Sequence, residues 1–231
     1  MLVLTWNLFH GRAVPEERHS LLAEFTSRLA SWEWDVALLQ EVPPWWPSRL
    51  GAACAASART ALTSRNWLLP VTRPIAERRP DLIKSWGGGS NAILVRGERV
   101  LEHRVHALRR WPERRVVHGV QLASGVWLSN VHAQAHSEAR AQADIAMAAR
   151  STVAWSGSAP AILGGDMNTR QPVAPGFAHV AGHGVDHVLV RGLEAAAPGR
   201  TLDRGTLSDH CPVLAEVAPR KDRAAEASLA A

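Results

Sequence analysis

The sequence predicts a mixed α/β domain with long loops after its strands. Three features predict it. A strand, a helix and a strand follow one another within the first ~40 residues, the mark of a βαβ unit. Four short strands separated by turn residues occupy the middle of the chain. A helix and three further strands close a second βαβ-like half. The 231 residues suit one domain. That domain is placed at residues 1–218, followed by a charged, Ala-rich tail at 219–231 that is expected to be disordered.

Taken in order, Leu2 to Trp6 is a short apolar run, read as a buried strand. Leu21, Leu22, Phe25 and Leu29 recur at helical spacing, so a helix is expected from about Glu16 to Trp34. Asp35 to Gln40 is the second buried strand. Pro43, Pro44 and Pro47 force a loop, with a small helix to about Leu62. Arg65 to Gly89 reads as loop, ending in three glycines. Strands are expected at Asn91–Val95, Arg99–Ala107, Arg115–Leu122 and Val126–Val131. Glu138 to Trp155 is an Ala-rich helix with Ser137 as its N-cap. Ala161–Leu163, Val185–Val190 and Pro212–Val217 are the last strands.

Hydrophobic residues are 46% and charged residues 20%, which excludes fibrous and disordered classes. No apolar run reaches the ~18 residues that a membrane span needs, so integral membrane association is not expected. Nothing at the start reads as a secretion signal, and Cys54 and Cys211 lie too far apart in sequence to form a framework. A reduced, cytoplasmic monomer is the expectation. The net charge of +5 fits a polyanionic partner, or simply an Arg- and Ala-rich base composition. Ten Trp and no Tyr exclude a catalytic tyrosine.

The informative pattern lies at the strand ends, where ligands gather in α/β sheets. Asn7 and Glu41 follow the first two strands. Asn130 and His132 end the Val126 strand. Asp166 and Asn168 follow Ala161–Leu163 through Gly164-Gly165, which read as a tight turn. Asp186 and His187 open the next strand, and Ser208, Asp209 and His210 precede the last. The carboxylates are hard oxygen donors without a thiolate among them, which suits Mg²⁺ or Mn²⁺. A cation, a base and several hydrogen-bond donors fit hydrolysis of a phosphate ester.

These residues sit in Thr5-Trp6-Asn7, Leu39-Gln40-Glu41-Val42, Asn130-Val131-His132, Gly164-Gly165-Asp166-Met167-Asn168, Val185-Asp186-His187-Val188 and Leu207-Ser208-Asp209-His210-Cys211-Pro212-Val213. The ordered set resembles the endonuclease/exonuclease/phosphatase superfamily, which includes nucleases, deadenylases, sphingomyelinases and inositol-polyphosphate phosphatases. The resemblance implies a four-layer sandwich of two packed mixed β-sheets flanked by helices. It implies that Glu41 binds Mg²⁺ directly, supported by Asn7, with Asp209 as a second carboxylate near the metal. Asp166 would deprotonate the attacking water, and Asn168 would hold a phosphate oxygen. His210, fixed by Asp186, would stabilise the transition state. His132 would donate to phosphate or leaving group, and Asn91 matches a polar position of the family. A Tyr is usual at the His132 position in abasic-site endonucleases, so that branch is disfavoured.

The reaction expected is hydrolysis of phosphodiesters, with nucleic acid the favoured partner. The alternatives are a phosphatase or lipid phosphodiesterase and, from another class, an inactive binding module. Asn130, Arg109, Arg110, Arg114 and Arg115 are candidates to hold substrate, the arginines alternatively forming a solvated hairpin tip. Trp45 and Trp46 are expected to pack their loop onto the domain rather than to stack on a base, and Cys211 to be a small packed residue.

Overall fold

The computed structural model describes residues 1–220 except 65, 67, 84, 85, 87 and 112. The strands, in chain order, are β1 (Leu2–Asn7), β2 (Val36–Val42), β3 (Ala56–Leu62), β4 (Ser90–Arg96), β5 (Val100–Arg109) and β6 (Arg115–Leu122). They continue as β7 (Trp127–His132), β8 (Ala161–Asp166), β9 (Ala178–His183), β10 (Asp186–Arg191), β11 (Leu193–Thr201) and β12 (Val213–Pro219). The helices are α1 (Leu22–Ser31), α2 (Pro47–Ala53), α3 (Leu69–Arg78), α4 (Pro80–Ile83) and α5 (Glu138–Ser156). One sheet runs β11-β12-β1-β2-β4-β3 and the other β5-β6-β7-β8-β10-β9. β1 with β2 and β7 with β8 are parallel, and the other pairs are antiparallel, so both sheets are mixed.

The strand period of two sorts side chains into layers. Val3, Leu38 and Ile93 of the first sheet meet Val120, Leu128, Ile162 and Val188 of the second between the sheets. Their neighbours Leu4, Leu39 and Leu94 turn outward onto Phe25 and Leu29 of α1 and Leu50 of α2. On the other side, Val131, Leu163 and Leu189 pack on Ile145, Ala148 and Ala149 of α5. Each such fully buried Leu or Ile contributes roughly 1.5–3 kcal/mol. The result is four layers: helix, sheet, sheet, helix.

Along the inner faces the chemistry changes with height. Above the apolar level, the period of two places Thr5, Gln40, Asn91 and Asn130 in a buried polar level. One step higher, at the ends of the strands, stand Asn7, His132, Asp166 and Asp186. His132, Asp166 and Asp186 form one row across the second sheet, because β7 pairs His132 with Asp166 and β10 pairs Asp186 with Asp166.

Gly164 and Gly165 belong to β8, not to a turn. A Cβ on Gly165 would sit 1.8 Å from the Val131 carbonyl oxygen, and its φ of +143° is open only to glycine. A Cβ on Gly164 would meet Leu38 of the facing sheet at 2.7 Å. The two glycines therefore let the sheets and strands approach directly below Asp166.

Other expectations are revised. The 16–34 helix is shorter, Leu22–Ser31. The segment to Leu62 is α2 followed by the edge strand β3, and the 65–89 loop contains α3 and α4. Ser137 occupies the N-cap of α5 with extended backbone, but its side chain makes no cap hydrogen bond. Residue 220 is the last described, so residues 221–231 of the expected tail lie outside the described residues. Both cysteines are free thiols, Cys54 buried and Cys211 half-buried. No helix among the described residues is long and apolar enough to cross a membrane.

Candidate active site

A cleft of about 290 Å³ opens where the strand ends of both sheets converge. Asn7, Glu41, His132, Asp166, Asn168, Asp209 and His210 all line it, so residues up to 203 positions apart in sequence meet there. The segments that build it hold non-glycine residues in the left-handed region, among them Glu41 at the end of β2 at φ +50°, Asn168 at +48° and Ser208 at +63°. Such backbone costs about 1–3 kcal/mol each and persists where the surroundings enforce it.

Asp166 is the centre of the hydrogen-bond network. Asn7 Nδ2 donates to its Oδ2 at 2.9 Å and the Asn168 N–H to its Oδ1 at 3.0 Å. The Phe9 N–H donates to Asn7 Oδ1 at 2.9 Å, which fixes the Asn7 amide so that its NH₂ faces Asp166. Asn7 thus lines the cleft with its amide held on Asp166. Burial pushes the Asp166 pKa up, while the charge of His210 and the Asn7 and Asn168 bonds pull it back toward the carboxylate.

His210 Nδ1 donates to Asp186 Oδ2 at 2.7 Å. Burial alone would lower the His210 pKa, but the bond and charge of Asp186, with Asp166 and Asp209, outweigh it and raise it to about 9. Burial likewise raises Asp186, to about 6, against the pull of its bond to His210. At neutral pH the pair is therefore imidazolium and carboxylate. The His210 loop is held by its own N–H on Ser208 Oγ at 3.0 Å and by Ser208 Oγ donating to the Asn7 carbonyl at 2.7 Å. His210 Nε2 faces the cleft, 3.9 Å from both Asp166 and Asp209.

His132 behaves oppositely. Burial, with the nearby charge of Arg115, pushes its pKa well below the ordinary value, so it is a neutral imidazole at pH 7. Its Nε2 lies 3.4 Å from Asp166 Oδ2 and 3.9 Å from Glu41 Oε1.

The donor set fits a hard divalent cation at Glu41. Asp166, Asp186 and His210 also present donor atoms within 4.8 Å of one another. A protonated His210 already bonded to Asp186 cannot ligate, however, so Glu41 is the better anchor. Its carboxylate is pushed toward the neutral form by burial, which outweighs the opposing charges of Arg115 and His210. A cation beside it would restore the ionised form. Asp209 lines the same cleft with a largely exposed carboxylate.

Not every candidate reaches the cleft. Asn130 is fully buried one level below it. Its amide donates to the carbonyls of Leu39 and Ala92, both at 2.9 Å, and its Oδ1 accepts from Gln40 at 2.8 Å. It ties the two sheets together rather than touching substrate. Asn130→Ala is expected to cost about 2–3 kcal/mol by orphaning those groups, with little change in KM; denaturant melts and steady-state kinetics together check it. A raised KM at unchanged stability would restore the substrate role. Asn91 is buried at the same level, and its amide atoms have no partner among the described residues.

The arginines also divide. Arg109 is bound to the buried Asp144 at 3.1 Å and pins β5 to α5, and Arg110 is exposed outside the cleft lining. Arg114 and Arg115 do line the cleft. Arg115 is buried, with an ion pair to Glu113 at 2.6 Å, and the Arg114 N–H donates to Ser64 Oγ at 2.6 Å. Arg114 and Arg115 thus form part of the cleft wall, while Arg110 and Trp111 stand exposed at the tip. Trp46 is buried against Phe25, ring centroids 5.5 Å apart, and Trp45 is half-buried with the Arg73 guanidinium 5.7 Å from its ring.

Sequence reasoning missed His10. It stands on the tight turn Phe9–Gly11 after β1, lines the cleft, and places Nε2 3.2 Å from Glu41 Oε2. A lone His in a loop has no periodicity to betray it; its position three residues after Asn7 and directly before a glycine is the available signal.

No curated protein matches the chain. Among solved structures, an endonuclease/exonuclease/phosphatase from Beutenbergia cavernae DSM 12333 is similar at TM-score 0.70 and 19% identity, covering 95% of this chain and 71% of its own. TDP2 from Caenorhabditis elegans is similar at TM-score 0.65 and 17% identity, over 93% of this chain and 73% of its own. A mannosyl-6-phosphatase from Bacteroides thetaiotaomicron is similar at TM-score 0.63 and 14% identity, over 94% of this chain and 99% of its own. At these identities the likeness is one of fold. The profile of the Endonuclease/Exonuclease/phosphatase family matches residues 4–210, and with that span the chain belongs to the endonuclease/exonuclease/phosphatase family.

Proposed function

We propose that the protein is a divalent-cation-dependent phosphodiesterase, with a nucleic-acid strand as the favoured substrate. The observation that carries the reading is the meeting of Asp166, Glu41 and a charged His210 in one cleft. A cation bound at Glu41 supplies neutralisation of the phosphate and of the charge that develops on it. Asp166, held by Asn7 and Asn168, takes a proton from the attacking water. His210 Nε2 donates to a non-bridging phosphate oxygen, and Asp186 keeps its other nitrogen protonated. Asn168 donates one amide hydrogen to the Ala133 carbonyl at 2.9 Å, which leaves the second for phosphate. Neutral His132 offers a donor for the leaving oxygen.

Charge distribution supports the polyanionic substrate. Residues 62–86 and 109–115 carry nine basic and three acidic side chains, which leaves 17 basic and 18 acidic for the rest of the chain. These two segments border the cleft through Thr63, Ser64 and Arg114. They also hold Trp86 and Trp111, 65% and 82% exposed, whose rings suit stacking on unpaired bases.

The test is a panel with Mg²⁺: plasmid DNA, single-stranded DNA, RNA, an inositol phosphate, a phospholipid, a sugar monophosphate and a bis-aryl phosphodiester. Cleavage of the bis-aryl diester and of single strands is expected. Turnover of monoesters alone would overturn the diester reading in favour of a phosphatase. A second measurement separates the arginines. Arg114→Gln is expected to flatten the salt dependence of single-strand binding by about 0.7 in log–log slope. Arg109→Gln is expected to leave that slope unchanged and to lower stability, because its partner is Asp144.

A further inference from the structure

We infer that His10 is a nitrogen ligand of the cation held by Glu41, and that it tilts the site away from Mg²⁺ toward a first-row transition metal such as Mn²⁺. The inference rests on the reading that Glu41 holds a cation.

The local backbone aims the two side chains at each other. The Leu8 N–H donates to the Gln40 carbonyl at 2.9 Å, so the turn after β1 is fastened to β2 one residue before Glu41. Phe9, His10 and Gly11 follow with φ of +49°, +54° and +76°, closed by the Gly11 N–H on the Leu8 carbonyl at 2.8 Å. Gly11 cannot be replaced freely, because a Cβ there would lie 2.4 Å from the Trp46 ring. Glu41 is itself left-handed at +50°. Two neighbouring strand ends, each bent out of the ordinary regions, thus bring His10 Nε2 to 3.2 Å from Glu41 Oε2. The side chains of His10 and Glu41 are 13% and 22% exposed, and both line the cleft.

That separation is what two ligands of one small cation show. Donors about 2.0–2.2 Å from a shared metal stand about 2.8–3.6 Å apart in octahedral or tetrahedral geometry. Mg²⁺ takes oxygen ligands and sheds water reluctantly, whereas first-row transition metals also accept imidazole nitrogen, Mn²⁺ the least strongly of them. A second imidazole nitrogen, His132 Nε2, lies 3.9 Å from the other oxygen of the same carboxylate, Oε1. His132 has its own use as a donor in the proposed reaction, so His10 is the nitrogen near Glu41 that an Mg²⁺-only site leaves without a role. The competing account is that His10 merely hydrogen-bonds Glu41 and steadies it. Then its loss would weaken every divalent cation alike.

The experiment is binding of Mn²⁺ and of Mg²⁺, each alone, to the full chain without substrate. Calorimetry gives both affinities, and pulsed electron paramagnetic resonance detects ¹⁴N coupled to bound Mn²⁺. The proteins are wild type, His10→Ala, His10→Gln and Glu41→Gln, with circular dichroism melts as a fold control. Wild type is expected to bind Mn²⁺ more tightly than Mg²⁺ and to show imidazole ¹⁴N coupling. Both His10 variants are expected to lose about 10–100-fold in Mn²⁺ affinity and less than threefold in Mg²⁺ affinity, with the ¹⁴N signal reduced. Equal losses for the two cations, or no loss, would overturn the assignment of His10 while leaving Glu41 as the anchor. Unchanged binding in Glu41→Gln would overturn both the ligand pair and the cation reading on which it rests. Should His10→Ala melt early, His10→Gln and the ¹⁴N signal of the wild type still decide the question.

Discussion

Glu41→Gln is expected to abolish cation-stimulated hydrolysis, by about 10³-fold or more, without loss of the fold. The carboxylate is the feature removed; shape and hydrogen-bonding reach remain. Burial raises the Glu41 pKa, so the folded protein prefers this group neutral. For an acid raised in the folded state, the charged form costs stability above the folded pKa. Gln removes that cost, so the melting temperature at pH 7 without added metal should stay level or rise. Activity and stability thus move in opposite directions, which a merely structural role for Glu41 cannot produce. The check is a cation titration of the rate beside thermal melts with and without chelator. A variant that keeps the wild-type cation response would remove Glu41 from the site, and a variant that melts early would mark it as structural.

The side chains that meet in the cleft were legible as a set because each follows or opens a buried apolar strand. Asp166 after Ile162-Leu163 and Glu41 after Leu38-Leu39 are such cases, and the packing of the two sheets brings their ends together. Height along the inner face was not legible. Asn130 and His132 share a face, as residues two apart must, and the sequence gives no sign that the first lies a level below the cleft and the second in it. Nor does it tell that Arg109 has Asp144 to bind, since the pair joins β5 to α5 across 35 positions. The strands β3, β9 and β11 escaped notice for a different reason. They are edges with much exposed or half-exposed surface, such as Leu193–Thr201, and so carry no run of buried apolar residues. The helix α3 buries no residue and contains Pro74, which masks it as loop.

The last expected result separates His210 from the residue that holds it. His210→Ala should lower kcat by about 10²–10³-fold, the usual cost of one transition-state donor. Asp186→Asn should lose less at pH 7, because the imidazole remains. The double variant should be hardly slower than His210→Ala alone, since Asp186 acts only through the ring it touches at 2.7 Å. The pH profile gives an independent reading. Asp186 is the chief reason His210 titrates at about 9 despite burial, which lowers it. The His210 imidazolium is therefore present below that pH, and the wild-type rate should fall as pH rises through it. With Asp186 replaced by Asn, burial is no longer outweighed, and the same descending limb should move to lower pH. His210→Ala should have no such limb. Multiplicative losses in the double variant, or a limb that stays in place in Asp186→Asn, would mean that Asp186 does not work through His210. Its carboxylate would then have to be assigned to the neighbouring Asp166, which it faces directly across β8 and β10.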